Sequence, residues 1–210
     1  MSSTGYNPKE YWLSRGKVYK NEFKYDAGKR LQEEMLLEYL KSIAPFPAVL
    51  ELGCGFGRIT QLITSNFPEI EEYVATDLSP DQIENAKNYV KLSQKIRFIE
   101  SDIQSLELAA HHFDLVIAAE VLLHVLPVEL DAVISKLVSL SKNHVINIDY
   151  YEENPPERRL AAHNFIHDYE AAYKGIPSVT NVKRIPIAKK KTFSTLDTKQ
   201  SIFHALVHHS

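Results

Sequence analysis

Ala48-Val-Leu-Glu-Leu-Gly-Cys-Gly-Phe-Gly-Arg58 decides how the rest of the chain is read. An apolar run ends in an acid, glycines come next at 53, 55 and 57, and a helical pattern begins at Ile59, so the stretch reads as a buried strand turning sharply into a helix. Glycine tolerates positive φ and lets the backbone come close to a ligand. The start of the helix adds unpaired N–H groups and a partial positive charge, which suits a nucleotide-like molecule with an anionic group.

The glycine spacing narrows the ligand. A dinucleotide fingerprint wants Gly-x-Gly-x-x-Gly, whereas here the third glycine comes two residues after the second, behind Glu51 on the strand. Glu51-Leu-Gly-Cys-Gly-Phe-Gly57 resembles motif I of the class I S-adenosylmethionine (SAM) dependent methyltransferases, Glu/Asp-x-Gly-x-Gly-x-Gly. The later strands and acids sit at matching intervals. Tyr73-Val-Ala-Thr-Asp77 is a short strand ending in an acid 20 residues beyond Gly57, about where a carboxylate accepts hydrogen bonds from ribose hydroxyls. Ser79-Pro80-Asp81-Gln82 is a capped helix start. Ile96-Arg-Phe-Ile-Glu100 is a third strand with Asp102 and Ile103 just beyond it, and Phe113 to Glu120 is a fourth, apolar almost throughout. Pro127 opens a helix, and His144 to Asp149 is a fifth strand.

The pattern predicts an uninterrupted strand–helix alternation from Gly53 to Asp149. That gives an α/β, doubly wound, Rossmann-like sheet with helices on both faces and ligands at the carboxyl ends of its strands. Val179 to Ile187 and Ser201 to Val207 complete seven mostly parallel strands, the last antiparallel. The chain of 210 residues, 44% hydrophobic and 24% charged, suits one domain over 1–210. Within it, 1–45 is expected to form a helical lid, 46–150 the SAM-binding core, and 151–210 a substrate-side helix and strands. The single Cys54 cannot form an internal disulfide, the N-terminus lacks a basic then apolar leader, and no apolar stretch is long enough to span a bilayer. A cytosolic location is expected, with no membrane partner.

The resemblance implies SAM as cofactor, cradled by Gly53, Cys54, Gly55 and Gly57, with Glu51 supporting the loop. Asp77 and Leu78 would face the ribose, Asp102 and Ile103 the adenine, and Glu120 the methyl donor. Relatives carry a lid with Tyr and Arg in comparable places, which makes Tyr11, Arg15 and Tyr19 cofactor or substrate candidates. If the acceptor needs a base, Glu120, His124, His163 and His167 form the pool. The implied reaction is methyl transfer from SAM to an O or N atom, on a small molecule in preference to protein or RNA, because no separate recognition domain fits. Two other classes share some of these features: a nicotinamide-dependent oxidoreductase, which the glycine spacing disfavours, and a non-catalytic SAM-binding protein.

Three motifs are set aside. Asn154-Pro155-Pro156-Glu157 is similar to a signature of methyltransferases acting on planar amino groups but comes after the wrong strand and lacks its aromatic residue, so it reads as a turn. His163 and His167 have the i, i+4 spacing of helical zinc ligands without the accompanying Glu or a third ligand, so no metal is expected. The tail from Ser178 to Gln200 carries a local charge of +5 and reads as a solvated loop between strands, in preference to a site for nucleic acid or an acidic substrate.

Overall fold

The structure is a computed structural model that describes residues 6–91, 93–152, 163–190 and 195–209. The 154–157 motif lies outside the described residues.

Two helices precede the sheet. Helix α1, Pro8–Glu22, starts at Asn7, whose side chain accepts from the Glu10 N–H, with proline in the first turn. Helix α2, Ala27–Ile43, is capped by Asp26 in the same way and buries Leu31, Leu36 and Leu40. Strand β1, Ala48–Leu52, leads into α3, Arg58–Asn66; β2, Glu72–Asp77, into α4, Pro80–Tyr89; then come β3, Ile96–Glu100, and β4, Phe113–Ala119. Helix α5, Leu130–Leu140, strand β5, Ser141–Tyr150, and helix α6, Tyr169–Lys174, come next. The long hairpin of β6, Val179–Lys190, and β7, Thr195–Val207, ends the chain.

The seven strands are ordered β3-β2-β1-β4-β5-β7-β6. The pairs from β3 to β5 are parallel, and β7 is antiparallel to both β5 and β6, as expected for the last strand. Each face of the sheet is covered. Val49, Ala75, Leu115 and Ile117 pack with residues of α2, α3 and α4 on one side. Leu50, Leu52, Val74 and Val116 pack with α5 and α6 on the other. Burial on both faces is why these strands read as apolar runs rather than alternating ones.

One expectation is corrected. The alternation does not run unbroken, because residues 101–112 between β3 and β4 contain turns and no helix. The segment offers only Ile103, Leu106 and Leu108 as large apolar residues, too few for a helical stripe, and of these only Leu106 is buried. No helix among the described residues is long and apolar enough to cross a membrane.

Candidate active site

The carboxyl ends of β1, β2, β3, β4 and β5 converge on one cavity of about 540 Å³. The glycine loop forms its near wall. Gly53, Gly55 and Gly57 all have positive φ, 68°, 55° and 90°. A Cβ at Gly55 would meet nothing within 4 Å, so the backbone there is an open cradle. Gly57 serves another purpose: it is not among the cavity-lining residues, and a Cβ on it would lie 2.7 Å from Val90 Cγ2 and 3.3 Å from the Ala86 backbone, so its absence lets α3 pack on α4. Gly57 is also the N-cap of α3 and supplies no side-chain cap, which leaves the helix start to bond elsewhere.

Beneath the loop, Glu51 is 2% exposed and accepts hydrogen bonds from the Thr60 and Tyr73 hydroxyls. Burial pushes its carboxyl up to about 7, against those two donors. Asp77 closes β2. Its two oxygens accept from the Gly55 N–H and the Ser79 N–H, each at 2.9 Å, tying the loop after β1 to the loop after β2. Burial holds this carboxyl above the usual range, and the backbone N–H groups pull it back. Leu78, Asp102 and Ile103 also line the cavity; Asp102 accepts from the Gln104 N–H, an Asx turn that fixes the loop past β3.

Glu120 comes directly after β4 with φ of 60°, a left-handed conformation rare for its residue type. It is bonded to Lys29, to Arg58 at 3.3 Å and to Gln200 at 2.7 Å. Burial pushes its carboxyl up, yet Lys29 and Arg58 outweigh burial and hold it below the ordinary range. Arg58 is further bonded to Glu33 at 2.8 Å and to Gln32 at 2.7 Å. This network joins α2, α3, the end of β4 and β7.

Helix α1 roofs the cavity. Trp12, Tyr19 and Phe23 line it, whereas Tyr11 and Arg15 do not. The cause is helical phase: residues 12, 19 and 23 share the inner face, while Tyr11 and Arg15 lie along an outer groove with Val18, Arg15 being paired with Glu22. Gly16 sets the helix down on α4, where its carbonyl accepts from Gln82 Nε2 at 3.1 Å.

The candidate histidines separate. His124 and His163 line the cavity, their rings stacked at 5.6 Å. His124 Nδ1 donates to the His163 carbonyl at 2.8 Å, and burial pushes its pKa down to about 4, that bond opposing. His163 also stacks on Tyr11 at 4.6 Å. His167 lies elsewhere, 5% exposed, donating from Nε2 to the Val125 carbonyl. Residues 163–168 are not helical, so the i, i+4 geometry of zinc ligands does not arise, and among the described residues no group of three or more His, Cys, Asp or Glu could hold a metal.

Sequence reasoning missed several lining residues: Trp12, Phe23, Arg58, Gln82, Tyr150 and Asn164. Gly16 inside an otherwise helical stretch was a usable signal, since it marks the face of α1 in close contact and hence Trp12 and Tyr19 beside it. Three of the wall residues carry buried polar atoms with no hydrogen-bond partner among the described residues: Trp12 Nε1, Gln82 Oε1 and Asn164 Oδ1. Each such atom calls for a partner, which a bound ligand or a water supplies. Together with the open cradle at Gly55 and the fixed acid at Asp77, they fit a nucleoside carrying polar and charged groups.

Residues 49–144 match a family model described as a methyltransferase domain. Among curated proteins, the malonyl-[acyl-carrier protein] O-methyltransferase of Paenibacillus sp. (strain JDR-2) is 33% identical over 106 residues, which is 45% of this chain and 38% of that protein. The chain thus spans well under half the length of the curated relatives it matches. Among solved structures, the N-methyltransferase NodS from Bradyrhizobium japonicum in complex with S-adenosyl-l-homocysteine aligns with a TM-score of 0.73 at 18% identity, covering 97% of this chain and 100% of that one. The magnesium protoporphyrin IX methyltransferase from Synechocystis PCC 6803 with bound SAM aligns at 0.67 and 16%, covering 99% and 100%. At these identities the likeness speaks to the fold. Residues 49–144 thus match a methyltransferase domain, and the seven-stranded sheet that carries them has the fold of these methyltransferase structures.

Proposed function

We propose that this chain is a SAM-dependent methyltransferase that transfers a methyl group to an O or N atom of a small acceptor. The observation that carries the reading is convergence: the glycine cradle, Asp77, Asp102 and Glu120, from four separate strand ends, all line one cavity. SAM supplies a methyl group made electrophilic by its positively charged sulfur. The chain's own residues bind and align. Asp77, already fixed by two backbone N–H groups, keeps lone pairs for ribose hydroxyls; Asp102 and Ile103 offer an acceptor and an apolar face for a purine; Gly53, Cys54 and Gly55 leave room for the chain that joins them.

Residues 1–45 act as the lid over the 46–150 core, with 151–210 completing the acceptor side. Trp12, Tyr19 and Phe23 on the lid exclude water, and alignment of this kind is worth roughly 7–11 kcal/mol of barrier. A cavity of about 540 Å³ roofed by a helix favours a small acceptor over a macromolecular one. The single thiol, Cys54, accords with a reducing cytosolic setting.

Calorimetric titration with SAM and with NAD tests the reading. SAM should bind, NAD should not, and Asp77→Ala should weaken SAM about tenfold to a hundredfold by removing hydrogen bonds to a charged acceptor. Absence of SAM binding by the wild-type chain, or equal affinity in the variant, would refute it.

A further inference from the structure

The curated relatives are, by name, malonyl-[acyl-carrier protein] O-methyltransferases. A carboxylate acceptor brings a negative charge that must be met by a cation or by several donors, since an unpaired buried anion is costly. Apart from the acids already placed at the cofactor, the walls carry Glu120 and Glu129 beside two cationic side chains, Arg58 and Lys9, neither of them a free buried cation. Arg58 is held by Glu33, Gln32 and Glu120, and Lys9 stands exposed on the first turn of α1.

His124 supplies what a neutral acceptor needs. A carbonyl oxygen only accepts, so the 2.8 Å contact with the His163 carbonyl places the ring proton on Nδ1 and fixes the tautomer. In the neutral ring Nε2 then carries a lone pair. The charged and titratable groups that bear on this ring are His163 and Glu120, and Trp12 packs against it with ring centroids 4.4 Å apart. Trp12 Nε1 and Asn164 Oδ1, a donor and an acceptor in the same walls, have no partner among the described residues.

We infer that the acceptor is a neutral hydroxyl compound, not a carboxylate, and that His124 Nε2 accepts its O–H proton. This rests on the methyltransferase reading. In the reaction the acceptor O–H proton passes to Nε2 as the oxygen forms its bond to the methyl carbon; the carbon–sulfur bond breaks, its electron pair stays on sulfur, and S-adenosylhomocysteine leaves. His163, through its backbone carbonyl, is a positioning residue.

Two readouts that do not depend on turnover test this. In ¹⁵N-histidine NMR of the free chain at neutral pH, His124 should show a protonated Nδ1 and a bare Nε2; the opposite tautomer overturns the assignment. Phenol and benzoate, planar probes of similar size, should then be titrated with and without S-adenosylhomocysteine. Phenol should bind at least tenfold more tightly in one or both conditions, and His124→Phe should abolish the preference. No preference, tighter benzoate, or no binding by either probe overturns the inference. Failure of the underlying reading looks different: S-adenosylhomocysteine would leave the melting temperature unchanged, whereas the tautomer and the probe preference are read in the free chain as well.

Discussion

Gly16 is where the proposed lid helix α1 rests on α4, and replacing it with alanine is the sharpest perturbation the geometry offers. In an isolated helix Gly→Ala gains about 1 kcal/mol. Here a Cβ would stand 2.1 Å from Ser79 Oγ and 2.8 Å from Ser79 Cβ, both too close to be tolerated. Turning the hydroxyl away sacrifices the Ser79 cap, which accepts from the Gln82 N–H, at about 1 kcal/mol, and still leaves the Cβ contact. Shifting α1 instead strains the Gln82 bond to the Gly16 carbonyl, about 1 kcal/mol, and adds an overpacking cost of about 1–3 kcal/mol. After the helix gain is subtracted, docking of α1 should weaken by about 1–3 kcal/mol, so amide protection across residues 8–22 should fall about fivefold to a hundredfold. Native-state hydrogen exchange reads this directly, with β1 and β4 as unchanged controls. Ser79→Gly removes both clashing atoms at a cap position glycine fills at little cost, so the double variant should recover most of the protection. Unchanged or slower exchange over 8–22 in Gly16→Ala would refute the close-contact argument.

Glu51 gives a pH signature. Its folded pKa of about 7 lies above its unfolded value, so the native state holds more protons between about pH 4.5 and 7, stability falls as pH rises through that window, and the loss levels off near 3 kcal/mol. The difference in unfolding free energy between Glu51→Gln and wild type should therefore grow in the variant's favour across that window; a flat difference contradicts it. Glu120→Ala strands Lys29 and takes one of two carboxylate partners from Arg58, and should cost about 3–5 kcal/mol, lowering Tm by about 6–20 °C in a scan, with Glu120→Gln milder; an unaltered Tm would mean the network carries no weight. His167→Phe should lower stability by about 1–3 kcal/mol by orphaning the Val125 carbonyl, measured by urea unfolding, with SAM affinity kept; full stability with lost turnover would put His167 in the chemistry instead.

How much of this was legible in the sequence depends on how far apart the partners lie. The strand ends were readable because each is a local pattern: an apolar run, then an acid or a glycine, with Asp77 named by its spacing and Asp102 by the family resemblance. The absent helix between β3 and β4 was misread because the alternation elsewhere was extended across a segment with too few apolar residues to sustain it. Glu120 was placed at the cavity, yet its bonds reach Lys29 across 91 residues and Gln200 across 80, and nothing local to Glu120 announces two cations on other elements. Those cations change its chemistry. Clamped by three partners and held ionised, this carboxylate, one of the four residues in the base pool, acts as an anchor between α2, α3 and β7.

The roof shows the complementary case, in which the signal was local but was read in the wrong phase. Aromatic residues at 11, 12 and 19 do not share a face of a helix; 12 and 19 do, and Phe23 continues the line. Gly16 lies on that same side, buried against Ser79 and Gln82, because only a residue without a Cβ lets α1 come close enough to α4 to close the cavity. The glycine and the aromatic line thus constrain each other. Any residue larger than glycine at 16 would lift Trp12, Tyr19 and Phe23 together, and the wall that excludes water would open as a unit rather than residue by residue.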